Sequence, residues 1–270
     1  MNKSISILGC GWLGYPLAKR LAQEEWQVRG STTTKEKIPL MEEDGIIPFY
    51  LTLEPELSGD RIDAFFQSEI LFINIPPGRR RDDVEQFHPA QVRSILSHLD
   101  GSRIKWIIYA SSTSVYGSSN KVMKEEDAGD PDRASGFALL EAEAMVGNQA
   151  DIDFTILRYG GLYGDDRQPG KFMAGKKDLT GGNAPVNLIH QDDAVNIVLE
   201  VLRQKYKNEV FNCVSDEHPT REKLYTNAAR KLGFDPPVFN NASSQWKIIS
   251  NERLKEKLNY RFIYPDPMVE

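Results

Sequence analysis

The sequence predicts an α/β protein built around a doubly wound parallel sheet. From residue 4 to residue 158, short apolar runs rich in β-branched residues alternate with amphipathic stretches of helical spacing. This alternation is typical of a parallel sheet with helices on both faces, and right-handed crossovers make such a sheet doubly wound. After Tyr159 the alternation gives way to a loop-rich stretch. We therefore expect a large α/β domain in residues 1–160 and a small α/β region in residues 161–270, interleaved with the last strands of the sheet.

Local patterns predict each element in turn. Ser4–Leu8 is typical of a short buried strand, and Leu13, Leu17 and Leu21 then share one face of a helix. By the same criteria, further strands are predicted over 26–31, 46–53, 70–75, 104–110 and 154–158, and helices over 35–44, 60–67, 82–99 and 134–146. After the loops of residues 160–185, strands are predicted over 185–189 and 210–214, and helices over 193–203 and 221–232.

Composition excludes several functional classes. The 270 residues carry a formal net charge of −6, which argues against nucleic acid as a partner because affinity for phosphate backbones comes from clustered Lys and Arg. No run approaches the ~20 apolar residues of a membrane span. The two cysteines, Cys10 and Cys213, lie in no metal-ligand spacing and do not make a disulfide scaffold. We expect a cytoplasmic protein with no metal site and no membrane partner.

The segment Gly9-Cys10-Gly11-Trp12-Leu13-Gly14 is a G-x-G-x-x-G motif between a predicted strand and a predicted helix. In that context Gly9 permits a tight turn, Gly11 lets backbone N–H groups approach a pyrophosphate, and Gly14 lets the helix pack closely on the strand. The positive end of the helix dipole would face the phosphates. The motif predicts a Rossmann domain that binds NADP(H) or NAD(H). The alternative is a strand-to-helix turn without a ligand.

The end of the second strand bears on the choice of cofactor. NAD sites usually place Asp or Glu there, about 20 residues past the motif, to bind the ribose 2′-hydroxyl. This chain has Ser31, Thr32, Thr33, Lys35 and Lys37 in that stretch. Hydroxyl and ammonium groups suit a 2′-phosphate, which needs hydrogen-bond donors. We therefore expect NADP, with NAD as the alternative and a loop that selects neither form as the simplest interpretation.

Ile75 and Pro76 follow the strongly apolar fourth strand. Ligands of open α/β sheets bind outside the carboxyl ends of strands. We expect these two residues to line the cofactor site. A simple stop signal for the strand is the competing interpretation.

Four further segments lie at the end of the fifth strand, at the sixth strand, before the helix at 193–203, and in the strand at 210–214. In order, they are Ala110-Ser-Ser-Thr-Ser-Val-Tyr-Gly117, Leu157-Arg-Tyr-Gly-Gly-Leu-Tyr-Gly164, Val186-Asn-Leu-Ile-His-Gln-Asp-Asp193 and Val210-Phe-Asn-Cys-Val214. Together with the glycine motif, they resemble the extended short-chain dehydrogenase/reductases, also called the NAD-dependent epimerase/dehydratase family. The resemblance covers nearly the whole chain, and it implies a cofactor site that includes Ser111 and Tyr159.

Two departures from the family pattern stand out. Leu8 occupies the place of the first glycine in the family's G-x-x-G-x-x-G motif. The family's catalytic Tyr-x-x-x-Lys is missing as well: if Glu143 corresponds to the family's acidic residue, Ser135 holds the Tyr position and Leu139 the Lys position. The family's standard proton transfer therefore cannot be carried over to this chain.

The remaining candidates for chemistry are few. The resemblance implies that Ser112 hydrogen-bonds a substrate oxygen, and Tyr116 is a candidate replacement for the missing proton donor. Tyr163 and Arg167 are candidate substrate contacts. The competing interpretations are a structural hydroxyl for Ser112, a pocket wall for Tyr116 and Tyr163, and a solvated loop for Arg167. His190 is interpreted as structural, with Asp192 or Asp193 capping the next helix.

Two functional hypotheses follow. The first is an NADP(H)-dependent oxidoreductase or epimerase that acts on a small polar carbonyl or sugar-like substrate. The second is a non-catalytic NADP(H)-binding sensor or regulatory protein. The resemblance also implies a homodimer that forms through the helices at 82–99 and 134–146.

Overall fold

The computed structural model describes residues 3–269, which form eight α-helices and twelve β-strands within that range. The helices are α1 Gly14–Gln23, α2 Ile38–Glu43, α3 Ile62–Phe65, α4 Val84–Leu96, α5 Ala134–Gly147, α6 Gln191–Gln204, α7 Arg221–Lys231 and α8 Glu252–Leu258. The strands are β1 Ser4–Leu8, β2 Gln27–Thr32, β3 Ile47–Leu53, β4 Leu57–Gly59, β5 Ile70–Ile73, β6 Trp106–Ser112, β7 Lys121–Met123, β8 Asp153–Tyr159, β9 Gly161–Tyr163, β10 Leu188–His190, β11 Glu209–Cys213 and β12 Lys247–Ile249.

Eight strands form one sheet in the order β11-β8-β6-β5-β1-β2-β3-β4. The pairs β1–β2, β1–β5, β2–β3 and β5–β6 are parallel, and the edge pair β3–β4 is antiparallel. The chain runs outward from β1 to β4 and then returns to the other side of β1 at β5, so the sheet is doubly wound. The predicted fold class is confirmed.

The central strands are buried along their whole length. Every residue of β1 and of β5 is buried, and the apolar run Ile70–Ile73 has no polar alternation. Such continuous apolar strands are typical of a parallel sheet covered on both faces. Within residues 3–269, no helix combines the length and apolar character needed to cross a membrane.

The chain divides into two compact units, each assembled from three segments. The first unit holds residues up to 115, 133–157 and 201–210, and the second holds 116–132, 158–200 and the residues from 211 onward. The division at residue 160 expected from the sequence stays a prediction about domain organisation.

The second unit contains short strand pairs that the sequence did not predict. β9 pairs in parallel with β10, and β7 pairs in parallel with β12, which lies more than 120 residues further along the chain. Each of these strands has only three residues, too few to produce a period-2 pattern. Their pairing is therefore set by tertiary structure.

Asp193 has a different role from the predicted helix cap. Its fully buried carboxylate accepts hydrogen bonds from the Tyr260 hydroxyl at 2.8 Å and from the backbone N–H groups of Ile263 and Tyr264 at 2.8 and 2.9 Å. At the start of α6 it is the His190 ring that accepts the backbone N–H of Asp192, at 3.2 Å. His190 is thus structural, as predicted, while Asp193 anchors the C-terminal segment.

Candidate functional site

The glycine motif forms a tight loop between β1 and α1. Gly9 has a φ of +103°, and a Cβ at this position would lie 2.4 Å from the carbonyl oxygen of Asn74. A Cβ on Gly14 would lie 2.2 Å from the carbonyl oxygen of Gly9. A Cβ on Gly11 would meet no atom within 4 Å. The first and third glycines therefore serve packing, and the second opens space beside the exposed backbone.

Two side chains from neighbouring strands hold this loop. The Ser31 hydroxyl accepts the Gly9 N–H at 2.9 Å, and the Ser31 carbonyl accepts the Cys10 N–H at 2.8 Å. The Asn74 amide donates to the Gly9 carbonyl at 3.0 Å. Sequence reasoning missed Asn74, although an amide directly after a buried strand is a signal for this kind of contact.

The N-terminus of α1 has the character of an anion site. The helix begins at Gly14, and its first turn carries no acidic side chain. N–H groups at a helix start carry partial positive charge, although here the Tyr15 N–H is bonded to the Gly11 carbonyl at 3.0 Å and the Leu17 N–H to the Leu13 carbonyl at 3.4 Å. Gly11 is exposed and Trp12 half-buried, whereas Leu13 and Cys10 are buried. Gly11 and Trp12 are therefore the motif residues that offer surface to a pyrophosphate.

The Cys10 thiol is part of the packing beneath the loop. Burial raises its pKa to about 12, so the thiolate is scarce at neutral pH and the thiol is unreactive. The sulfur approaches the α-carbon of Gly30 so closely that a Cβ there would lie 2.7 Å away. Cys10 can contact a cofactor only through its backbone.

At the end of β2, buried and exposed hydroxyls have separate roles. Ser31 is buried and its hydroxyl oxygen accepts the Gly9 N–H, and its expected role as a cofactor contact stays a prediction. Thr32 is also buried and accepts the Thr34 N–H at 3.1 Å. Thr33 and Lys35 are exposed, and the Lys35 ammonium lies 4.9 Å from the centroid of the Tyr50 ring. Lys37 is exposed as well.

The carboxyl ends of β5 and β6 supply the other predicted contacts of the first unit. Ile75 is half-buried and Pro76 exposed, directly after Asn74. The Ser111 hydroxyl donates to the buried Glu143 carboxylate at 2.5 Å. Ser112 is half-buried, and its hydroxyl oxygen accepts the Ser114 N–H at 3.3 Å. Of the two serines, Ser112 therefore has the more accessible hydroxyl.

Tyr116 belongs to a buried network of the second unit. The side chain is 0% exposed, and its hydroxyl donates to Asn212 Oδ1 at 2.6 Å and accepts from Arg158 Nη1 at 2.8 Å. Burial raises its pKa to about 12. The geometry contradicts the expected catalytic role, because the hydroxyl is occupied and shielded and a raised pKa weakens it as an acid.

Tyr159 and Tyr163 are also core residues. The Tyr159 hydroxyl donates to the Ala194 carbonyl at 3.2 Å, and burial raises its pKa well above the usual value. Tyr163 is 0% exposed and packs edge-to-face on the His190 ring with centroids 5.1 Å apart. These positions leave Tyr159 only its backbone for a cofactor and correct the expected substrate role of Tyr163. Arg167 is exposed in a turn closed by its N–H to the Gly164 carbonyl.

The positions of the missing catalytic pair lie inside α5. Ser135 and Leu139 are only 4% and 1% exposed, so neither side chain presents a group to a ligand. The inner face of this helix is a packing surface.

Comparison with known proteins shows which family the chain matches. A model of the NAD dependent epimerase/dehydratase family matches residues 5–213. Protein YeeZ of Escherichia coli strain K12 is 36% identical over 271 residues, covering 99% of this chain and 98% of that protein. A 3-diazoavenalumate denitrifying reductase from Streptomyces is 33% identical over 123 residues, covering 41% of this chain and 39% of that protein.

Solved structures share the fold. A UDP-glucose 4-epimerase from Thermotoga maritima, solved with UDP-glucose, superposes with a TM-score of 0.80 at 19% identity and covers 98% of this chain and 96% of its own. A short-chain dehydrogenase/reductase superfamily protein from Agrobacterium tumefaciens, solved with bound NAD, has a TM-score of 0.77 at 17% identity and covers 98% and 94%. At these identities the likeness shows the fold alone.

The glycine geometry predicts that two alanine substitutions change the stability of the protein by different amounts. Gly14→Ala should lower the free energy of unfolding by about 1–3 kcal/mol, since the new methyl group overlaps the backbone of Gly9. Gly11→Ala should change it by less than about 0.5 kcal/mol, because the methyl group enters open space. Urea denaturation followed by circular dichroism measures both. Equal stability of the two variants would contradict the close packing of the loop on the helix.

Proposed function

We propose a function on the premise that the chain belongs to the NAD-dependent epimerase/dehydratase family, as its match over residues 5–213 and its full-length relative show. The proposal is an NADP(H)-dependent oxidoreductase or epimerase that acts on a small polar carbonyl or sugar-like substrate. Proteins of the same fold support this proposal, because some of them were solved with the nicotinamide cofactor NAD and some with the sugar nucleotide UDP-glucose.

The observation that carries this proposal is the surface formed by Gly11 and the start of α1 at Gly14, which we call the cradle. Open space beside Gly11 and an acid-free helix start at Gly14 fit a pyrophosphate. The Ser31 and Asn74 contacts hold the loop in this shape. A loop preorganised in this way spends little binding energy on ordering itself.

The preference for NADP(H) rests on the exposed groups after β2. Thr33, Lys35 and Lys37 are all exposed there, and the exposed carboxylate of Glu36 lies between the two lysines. A hydroxyl and two ammonium groups can donate to a 2′-phosphate, which a carboxylate would repel. Ser31 and Thr32 support this stretch from beneath through their bonds to Gly9 and Thr34.

Ser112 is the residue that we propose for contact with the substrate. Its oxygen accepts the Ser114 N–H, which leaves the hydroxyl proton able to donate to a substrate carbonyl or hydroxyl. A bound nicotinamide would supply hydride transfer. This chain would hold the phosphates at the glycine loop and orient the reacting oxygen with Ser112. Because a Tyr-Lys pair is missing, the proton that the reduced oxygen takes up would come from solvent water.

A second candidate function is non-catalytic binding of NADP(H), in a sensor or regulatory protein. The specific observation in its favour is the burial of Ser135 and Leu139, together with the occupied hydroxyl of Tyr116. Under this alternative the protein binds NADP(H) at the glycine loop but catalyses no reaction.

Cofactor titration tests the proposal directly. We expect NADPH to bind with a Kd on the order of micromolar and NADH at least about tenfold more weakly, a difference of about 1.4 kcal/mol. Thr33→Asp should narrow or reverse the preference, since the new carboxylate accepts from a 2′-hydroxyl and repels a 2′-phosphate. Nicotinamide fluorescence provides the measurement.

Two controls sharpen this titration. Ser58→Asp adds the same charge at an exposed position on β4 and should leave the preference unchanged. Gly11→Ala should weaken the binding of both cofactors by about tenfold or more, because its methyl group takes the space of the pyrophosphate. Failure of both cofactors to bind the unmodified protein would refute the dinucleotide site.

Turnover separates the two candidate functions. We expect a panel of small carbonyl compounds and sugar nucleotides to include a substrate that oxidises bound NADPH, followed by its absorbance. Ser112→Ala should lower that rate by about 100-fold, the usual effect of losing one donor to a reacting oxygen. Ser114→Ala, which removes a neighbouring buried hydroxyl without a hydrogen-bond partner, should not. NADPH binding with no turnover on any compound would favour the non-catalytic protein.

We also propose a homodimer through α4 and α5. Helix α5 carries apolar side chains on both faces: Ala138 and Leu139 are buried, while Phe137 is 48% exposed and Leu140 half-buried. The exposed Glu141 lies beside them and pairs with Arg93 of α4 at 3.5 Å. An apolar outer face on a surface helix indicates a partner. A second copy of the chain would cover it with the same helix.

A charge on this outer face should disrupt the dimer. Phe137→Glu is expected to yield a monomer in light scattering at concentrations where the unmodified protein is a dimer, because a carboxylate would be buried at the interface. Phe234→Glu alters a phenylalanine of similar exposure, 43%, outside both helices and should leave the dimer intact. A monomeric mass for the unmodified protein would contradict the proposal.

A further inference from the structure

The second unit contains an open groove of about 850 Å³. Its walls are the turn at residues 181–184 and the segment at 239–246, and Asn120 and Glu222 complete its lining. Pockets for small ligands commonly measure about 300–1,000 Å³, so the groove is large enough for one sugar or a short chain of sugars.

Backbone hydrogen bonds hold the groove in shape. The Asn120 N–H donates to the Trp246 carbonyl at 2.8 Å, and the Trp246 N–H donates to the Asn120 side-chain oxygen at 3.0 Å. The Gly181 N–H donates to the Ala242 carbonyl at 2.9 Å. Gly181 has a φ of +68°, and a Cβ there would lie 2.2 Å from the Ser244 hydroxyl oxygen. The two walls therefore approach each other at a position that only glycine allows.

The lining is rich in neutral polar groups. Side-chain amides come from Asn183, Asn241 and Gln245, and hydroxyls come from Ser243 and Ser244. Amides offer both donors and acceptors, and a hydroxyl can act as either. This combination matches sugar hydroxyls, which also donate and accept.

Two aromatic side chains, Phe239 and Trp246, also line the groove. Aromatic rings offer flat apolar surface, and Trp adds a hydrogen-bonding edge. The C–H face of a sugar ring is a suitable partner for such a surface.

The charge of the groove disfavours anions. Among its lining residues, all of which the structure describes, Glu222 is the one ionisable side chain. The guanidinium of neighbouring Arg221 donates to the Thr180 carbonyl at 2.7 Å and lies 5.6 Å from the Phe239 ring centroid. A phosphate in the groove would face the Glu222 carboxylate. Arg221 Nη1, which would lie 3.2 Å from a Cβ on Gly181, already donates to the Thr180 carbonyl.

We propose that this groove binds a neutral, hydroxyl-rich ligand, a sugar or polyol without phosphate. The inference rests on the proposed function, because it names the class of substrate that the protein selects. It predicts that a nucleoside diphosphate sugar is not the ligand of this groove.

Ligand-observed NMR on the full chain tests the groove with glucose, xylose and myo-inositol, and with glucose 1-phosphate and UDP-glucose as charged counterparts. At least one neutral compound should bind with a Kd on the order of millimolar, and the matched phosphate at least tenfold more weakly. Trp246→Phe should alter the binding of the neutral compound by at least threefold. The inference would be overturned if none of the three neutral compounds bound, or if glucose 1-phosphate or UDP-glucose bound more tightly than the neutral compounds.

A pair of charge reversals supplies the matched control. Glu222 and Glu252 are both exposed and both lie in the first turn of a helix, α7 and α8. Glu222→Lys should strengthen glucose 1-phosphate binding at least fivefold, and Glu252→Lys less than twofold. Equal effects would show that the phosphate responds to net charge and not to the groove, and would overturn the assignment.

NADPH titration of the same samples separates this inference from the proposed function. Intact NADPH binding without binding of any neutral sugar counts against the groove alone. Sugar binding without NADPH binding counts against the cofactor proposal alone.

Discussion

A close approach between the loop after β1 and the carboxyl end of β5 organises the first unit. Gly9 and Gly14 permit this approach because each would place a Cβ within 2.4 Å of a backbone oxygen. Ser31 and Asn74 then satisfy the loop's N–H and C=O groups from the strands on either side of β1. The cradle beside Gly11 is a consequence of this packing. Binding geometry and core stability therefore depend on the same few contacts.

A buried polar network has the corresponding role in the second unit. Arg158 donates to the Tyr116 hydroxyl and to the Glu125 carbonyl, both at 2.8 Å, while the Glu125 carboxylate accepts the Asn212 N–H at 2.9 Å. Buried polar groups are costly unless they are paired, and a fully paired network specifies one arrangement. This cost explains why Tyr116 is unavailable for chemistry: withdrawing its hydroxyl would remove the donor to Asn212 Oδ1 and one of the acceptors of Arg158.

Taken together, these features describe a family member with a closely packed glycine loop that departs from its family at the positions of the Tyr-x-x-x-Lys pair. The glycine loop and the helix start at Gly14 fit a dinucleotide, whereas Ser135 and Leu139 form part of the core at the positions of the usual proton donor and its partner.

The sequence by itself determined the sheet, its winding and the position of the cradle, because these depend on local signals. Apolar runs located β1 at the residues predicted, Ser4–Leu8, and the glycine spacing identified the loop before any contact was known. Tertiary structure alone decided which polar side chains are available to a ligand. Ser31 and Tyr116 look like candidates in the sequence, yet their hydroxyls are bonded to Gly9 and to Asn212, at positions 22 and 96 residues away. The pairing of β7 with β12 was likewise beyond the sequence, since three-residue strands have no period to read. Periodicity and turns are properties of neighbouring residues, whereas burial and hydrogen-bond partners belong to the folded chain.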